Sequence, residues 1–173
     1  MDGHALLKKI QTWGRELGFS QIAVADLGSV DLSKAEADLQ AWLDKGFHGD
    51  MHYMAAHGSK RTRPAELLPG TRSVITARMD YLPASVPTDW REVEEERLTK
   101  PHEAVISVYA RGRDYHKVMR ARPQTLSEKI AFELQSIDLS KTLVSRLFVD
   151  SAPVQEVVLA SKSGLGWRGK HTL

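Results

Sequence analysis

The six residues Ala104-Val105-Ile106-Ser107-Val108-Tyr109 decide how this chain is read. They form a continuous, largely β-branched apolar run, too short for a helix, which predicts a buried strand. Directly behind them stands Ala110-Arg111-Gly112-Arg113-Asp114-Tyr115-His116, where the switch to charged and glycine-containing sequence marks a loop. Helical spacing follows over residues 115–135, and Arg146-Leu147-Phe148-Val149 predicts another strand. Strand, helix and strand in this order favour an α/β domain of the α+β type, with a central, mostly buried sheet flanked by helices.

The pattern extends in both directions. Leu6, Ile10, Trp13 and Leu17 share one stripe of a helix over residues 5–17, with Gly18 as its stop and a strand over 21–25 beyond it. Ser33 with Glu36 reads as a capping box ahead of a helix that carries Leu39, Trp42 and Leu43 and ends at Gly46. A shorter helical piece over 50–56 and a strand over 73–77 come next. Residues 83–101 hold an acidic run at 92–96, which reads as a solvated excursion with one helical turn. Pro123 falls inside the long helix, where it lacks an N–H donor and clashes with the preceding turn, so a kink or break near Arg122 is expected. Pro153 opens a last helix through about Ser161, capped by Asp150 or Ser151.

Length and composition bound the rest. With 173 residues and 42% hydrophobic content, one domain over residues 1–173 is expected. A net charge of +2 means that an anionic partner must be met by a local patch. No apolar run is long enough to span a membrane, and Met1-Asp2-Gly3-His4 is unlike a signal peptide, so a cytoplasmic monomer is expected. The sequence contains no cysteine, which excludes disulfides and cysteine-ligated metals or clusters within it.

Several residues carry chemistry beside a plainer reading. Asp150 lies where a strand gives way to a helix, which suits a cap, yet the carboxyl ends of strands in open sheets are also where ligands bind. Asp114 precedes a helix and suits a cap, with His116 as a surface residue of the first turn. Lys60-Arg61-Thr62-Arg63 and the group Lys162, Arg168, Lys170 and His171 are the basic segments. In the second, Gly164, Gly166 and Gly169 would let backbone approach a ligand, Trp167 can stack, and Lys170 can reach a phosphate or an amide. Gly164-Leu165-Gly166-Trp167-Arg168-Gly169 has dinucleotide-loop spacing but follows a helix, so that reading is rejected.

Taken in order, Trp42-Leu43, Gly46-Phe47-His48-Gly49-Asp50-Met51, Lys60-Arg61-Thr62-Arg63-Pro64, Leu68-Pro69-Gly70-Thr71, Tyr109 through His116, Val149-Asp150-Ser151-Ala152-Pro153 and the loop over 164–172 resemble the N-terminal, cobalamin-binding region of the epoxyqueuosine reductases. That family reduces epoxyqueuosine to queuosine in the wobble position of certain tRNAs. The resemblance implies base-off cobalamin on this domain, and two four-iron four-sulfur clusters in a ferredoxin-like domain that these 173 residues would lack.

It further implies a general-acid role for Asp150, protonated by burial against corrin and nucleobase and assisted by Ser151. Tyr109, Asp114, Tyr115 and His116 would lie beside the cofactor, the tyrosines offering flat faces and hydroxyls, with no cobalt-ligating role assigned to His116. Arg61, Trp167 and Lys170 complete the implied cofactor pocket. Where relatives continue the long helix with leucine this chain has Pro123, and Gln155 stands where they carry an apolar residue, which threatens a polar amide in the core. A truncated, non-catalytic corrinoid- or RNA-binding fragment and a different corrinoid-dependent reductase are the alternative readings.

Overall fold

The computed structural model describes residues 2–82, 85–150 and 152–170. Helix α1, Gly3–Glu16, is capped by Asp2, whose carboxylate accepts from the His4 N–H at 3.3 Å. Its end is set by Gly18 at φ 85°: the Gly18 N–H reaches the Arg15 carbonyl and the Phe19 N–H the Gly14 carbonyl, both at 2.9 Å. This pair of bonds closes the last carbonyls of a helix and requires a left-handed residue that glycine supplies without a Cβ penalty. The chain then enters β1, Gln21–Asp26, and continues through α2, Ser33–Asp44, which ends ahead of Gly46 as expected. Short 3-10 turns at His52–Met54 and Gly58–Arg61 lead to α3, Pro64–Leu67, and to β2, Ser73–Arg78.

β1 and β2 pair antiparallel, in register from Gln21 opposite Arg78 to Asp26 opposite Ser73. Side chains alternate between faces along a strand, and directly opposed residues share a face. Ile22 points at α1, where Gly14 lets the helix come close. Thr76 opposes Ala23 on the other face, where its hydroxyl meets that of Ser163 at 2.6 Å, just past helix α6, Glu156–Lys162. Helices therefore lie on both faces of the sheet, as the α+β reading expected, but of the two strands only Ile22 and Ala25 are buried and Ile75 stays 41% exposed. Between β2 and α6 come α4, Trp90–Leu98, a 3-10 turn at Val108–Ala110, and the long α5, Tyr115–Ile137. Ile10, Phe19, Ile22, Leu126 and Ile130 bury the seam between α1, β1 and α5, and Trp13, Met79 and Met119 pack around it. Among the described residues no helix is long and apolar enough to cross a membrane.

The structure departs from the sequence expectations at several elements. Residues 104–107 and 146–149 are not in strands, and among the described residues the sheet has two strands only. Extended propensity requires a ladder partner to become a strand, and none is within reach: Ile106 is 58% exposed and its carbonyl accepts instead from the Arg111 guanidinium at 2.7 Å. The acidic run lies within α4, a nine-residue helix rather than one turn, in which Arg97 pairs with Glu94 at 3.2 Å and Lys100, just past its end, pairs with Glu96 at 3.5 Å, both at helical spacing. The piece expected over 50–56 contracts to the 3-10 turn at His52–Met54.

Helix α5 runs through Pro123 without interruption, since burial of Leu126 and Ile130 in the next turn offsets the lost backbone bond. The capping box at Ser33 does not form: Asp31 accepts the Ser33 N–H at 2.9 Å, and Glu36 pairs with Arg63 at 2.8 Å. Helix α6 starts at Glu156, three residues after Pro153, with Gln155 as N-cap and no side-chain cap. The capping role expected of Asp150 is thereby removed, and Ser151 lies outside the described residues. Gln155 is half-buried and stays out of the core; its N–H donates to the Arg61 carbonyl at 3.1 Å.

Candidate functional site

Two segments 35 residues apart build the site. At the start of α5, Asp114 caps the helix through the His116 N–H at 3.0 Å, and the same oxygen lies 3.0 Å from His116 Nδ1. The capping reading of Asp114 holds, and the cap is also the group that orients the imidazole. Hydrogen bonding from His116, first from its ring and then from its backbone, keeps the Asp114 carboxyl below the usual aspartate range. With a carboxylate accepting at Nδ1, the proton of that contact belongs to Nδ1. Nε2 lies 3.9 Å from Asp150 Oδ2.

Tyr115 completes the approach. Its ring stacks on His116 at 4.0 Å between centroids and meets Tyr109 edge to face at 5.9 Å. Its hydroxyl donates to Asp150 Oδ2 at 2.5 Å. That hydrogen bond, reinforced by desolvation and by the neighbouring negative charge, pushes the phenol up to about 12, so Tyr115 remains a donor across the physiological range. Asp150 is the one non-glycine residue with positive φ among those described, at 54°. Its backbone N–H donates to Glu156 Oε1 at 3.1 Å, a contact that reaches back from the first residue of α6.

The fold thus brings Tyr109, Asp114, Tyr115 and His116 to Asp150. It does not bring the remaining expected residues to the same point. The Arg61 guanidinium donates inward to the carbonyls of Met54 and Tyr53, at 2.8 and 2.6 Å, and braces the turns before α3. Trp167 is 87% exposed, Lys170 is exposed, and among the described residues neither makes a hydrogen bond or ring contact with the cluster. Gly164 has a structural task of its own. At φ 81° it ends α6 through bonds from Gly164 N to the Ser161 carbonyl and from Leu165 N to the Ala160 carbonyl. His171 lies outside the described residues.

Sequence reasoning missed Glu156 and Arg111. Glu156 carried no signal beyond being a carboxylate near a helix start. Arg111 grips both oxygens of Glu94, at 2.9 and 2.7 Å, and so ties α4 to the turn that carries Tyr109. Among the described residues no group of three or more His, Cys, Asp or Glu side chains is arranged to hold a metal ion. What the cluster offers is an exposed carboxylate with one oxygen fixed by a phenol, an imidazole nearby, and two aromatic rings.

Comparison with known proteins agrees with the motifs on which the site is built. The family model described as "Epoxyqueuosine reductase QueG, DUF1730" matches residues 61–151, just over half of the chain. An epoxyqueuosine reductase of Alicycliphilus denitrificans is 62% identical over 97% of the chain and 44% of its own length. One from Burkholderia pseudomallei is 54% identical over 97% of the chain and 41% of its own length. One from Escherichia coli is 48% identical over the whole chain and 42% of its own length. The chain therefore spans less than half the length of these relatives. No solved structure matches it. With the matched region running from Arg61 through the Tyr109–His116 segment to Asp150, the chain belongs to the epoxyqueuosine reductase QueG family.

Proposed function

We propose that residues 1–173 act as one domain, the cobalamin-holding part of an oxidoreductase that reduces epoxyqueuosine in tRNA to queuosine, with Asp150 as general acid. The observation that carries this reading is the meeting of Tyr109, Asp114, Tyr115 and His116 around the exposed Asp150 carboxylate. The names of the relatives support the substrate class.

The residues fit a broad, flat ligand with a polar rim. Tyr109 is 54% exposed beside Tyr115, which leaves aromatic surface for a corrin. His116 has Nδ1 against Asp114 and Nε2 3.9 Å from Asp150 Oδ2, so its part beside the proposed base-off cofactor would be to line the pocket and hold these carboxylates. Cobalamin, when bound, would supply the reducing chemistry at the epoxide carbon. Tyr115 fixes Asp150 Oδ2, and Oδ1, which makes no hydrogen bond among the described residues, is the atom from which a proton passes to the epoxide oxygen as the C–O bond opens. Reduction to the alkene takes up two electrons and two protons in all and releases water.

Iron–sulfur clusters do not fit these residues. They are held by cysteine thiolates, and the chain has none, so electron delivery is assigned to protein outside it. Exposed Trp167 and Arg168, with Lys170 beyond them, suit a stacked base and phosphates, which supports contact with tRNA. A cytoplasmic monomer is part of the same proposal.

Two measurements test it. Cobalamin titrated into the chain should develop the base-off visible spectrum, and no spectral change at millimolar cofactor would refute the cofactor assignment. In the complete enzyme, Asp150→Asn should lower single-turnover epoxide reduction by roughly 10²- to 10⁴-fold, the usual worth of a positioned general acid, with cofactor occupancy and melting temperature unchanged. Asparagine keeps the size and tolerates the left-handed conformation, so normal turnover in that variant would remove Asp150 from catalysis.

A further inference from the structure

We propose that Glu156 is a positioning residue for Asp150, holding its backbone in the left-handed conformation by accepting its N–H. The proposal rests on the reading of Asp150 as the proton donor. Asp150 follows buried Val149 and lies six residues before Glu156, and its φ of 54° is a left-handed conformation that aspartate tolerates better than most side chains yet still adopts at a cost that its surroundings offset. Two tethers do so. Tyr115 holds the side chain through Oδ2, and Glu156 Oε1 holds the backbone N–H at 3.1 Å. The first tether alone leaves the peptide free to rotate about a hydrogen-bonded carboxylate.

Glu156 is placed to do this by α6. Val158 and Leu159 are buried against the rest of the domain, and the Thr76–Ser163 contact pins the far end of the helix to β2, so the first residue of α6 has a fixed origin. Glu156 makes no ion pair among the described residues, which sets it apart from Glu36, Glu94 and Glu133, each paired with a basic side chain. Although the residue is exposed, protein crowding around its carboxyl raises its pKa, and the Asp150 N–H bond opposes that rise. The mechanism assigned to Asp150 gives Glu156 no proton to carry. Its contact is to a backbone amide, for which an uncharged acceptor serves as well as a charged one.

That last point makes the inference testable in the 173-residue chain. The Tyr115 phenol, held at about 12 by its bond to Asp150, reports the position of the Asp150 carboxylate and can be followed by NMR with ring-labelled tyrosine. Glu156→Gln keeps an acceptor oxygen at the same reach and should leave the Tyr115 titration in place. Glu156→Ala removes the acceptor, and Glu156→Asp withdraws it by one methylene; both should move the titration down toward that of the other tyrosines. The Asp variant keeps a carboxylate on α6 and supplies the result if the Ala variant does not fold.

In the complete enzyme, the Ala and Asp variants should lower kcat by about 10- to 100-fold, as misplacement of a reacting group by about an ångström does, with KM and cobalamin occupancy unchanged. An unmoved Tyr115 titration in both variants, or a Gln variant that behaves like Ala, would overturn the proposal. The titration does not depend on Asp150 donating a proton. Normal turnover in Asp150→Asn beside a shifted Tyr115 in Glu156→Asp would therefore fault the catalytic reading and leave the positioning contact standing.

Discussion

Helix α1 can lie against β1 because residue 14 has no side chain, and Gly14→Ala tests that seam. A Cβ built there would sit 2.1 Å from Ile22 Cδ1 and 2.9 Å from Cγ1, where carbon atoms prefer roughly 3.5–4.0 Å. Ile22 is buried and β-branched, so it has few rotamers with which to yield. Overpacking of this kind costs about 1–3 kcal/mol, and the gain in helix propensity returns about 1 kcal/mol. The expected net loss is about 0–2 kcal/mol, which at its upper end is a fall in melting temperature of about 4–8 °C for a chain of this size.

Ile22→Val removes the clashing Cδ1 and alone costs about 0.5–1.5 kcal/mol. In the double variant the clash has lost its nearer atom, so the two losses should sum to less than their parts by about 1 kcal/mol. Urea unfolding of the chain and its three variants, followed by far-ultraviolet circular dichroism, measures the cycle. Strictly additive losses, or a Gly14→Ala variant more stable than the parent, would show that α1 does not pack on Ile22 as described.

Pro123→Ala restores a backbone donor inside α5 and should raise stability by up to about 3 kcal/mol, read as a higher thermal midpoint; an unchanged or lower midpoint refutes the account of the uninterrupted helix. The bond from Arg111, with lesser attraction from Arg111 and Arg97, holds the Glu94 carboxyl below its unfolded value. Its contribution is thus fully present above the unfolded glutamate pKa and is lost as pH falls through the folded one. The stability difference between the chain and Glu94→Gln should accordingly favour the parent near pH 6 and close toward pH 3, and a gap that widens on acidification contradicts the pairing. Titration of ring-labelled tyrosine should find Tyr115 still protonated when the other tyrosines have ionised, and Asp150→Asn should bring it back toward 10; Tyr115 titrating with the others in the parent chain would refute the bond to Asp150.

Local chemistry made a good part of this protein legible in its sequence. Gly18 and Gly46 end their helices where the apolar stripe stops, because the tight turn that closes the last carbonyls there needs a left-handed residue. β1, β2 and the long helix from Tyr115 could be read from periodicity for the same reason, and Asp114 ahead of that helix is a local cap. Tertiary structure decided what depends on partners distant in sequence. Residues 104–107 have the composition of a strand but no ladder to join, and Pro123 stays helical because Leu126 and Ile130 are buried one turn on. Asp150 looked equally like a cap, and only the late start of α6 released it from that role. Its left-handed φ, its bond from Tyr115 and its contact with Glu156 join groups whose proximity depends on α5 and α6 packing near one another, and no spacing along the chain encodes that distance.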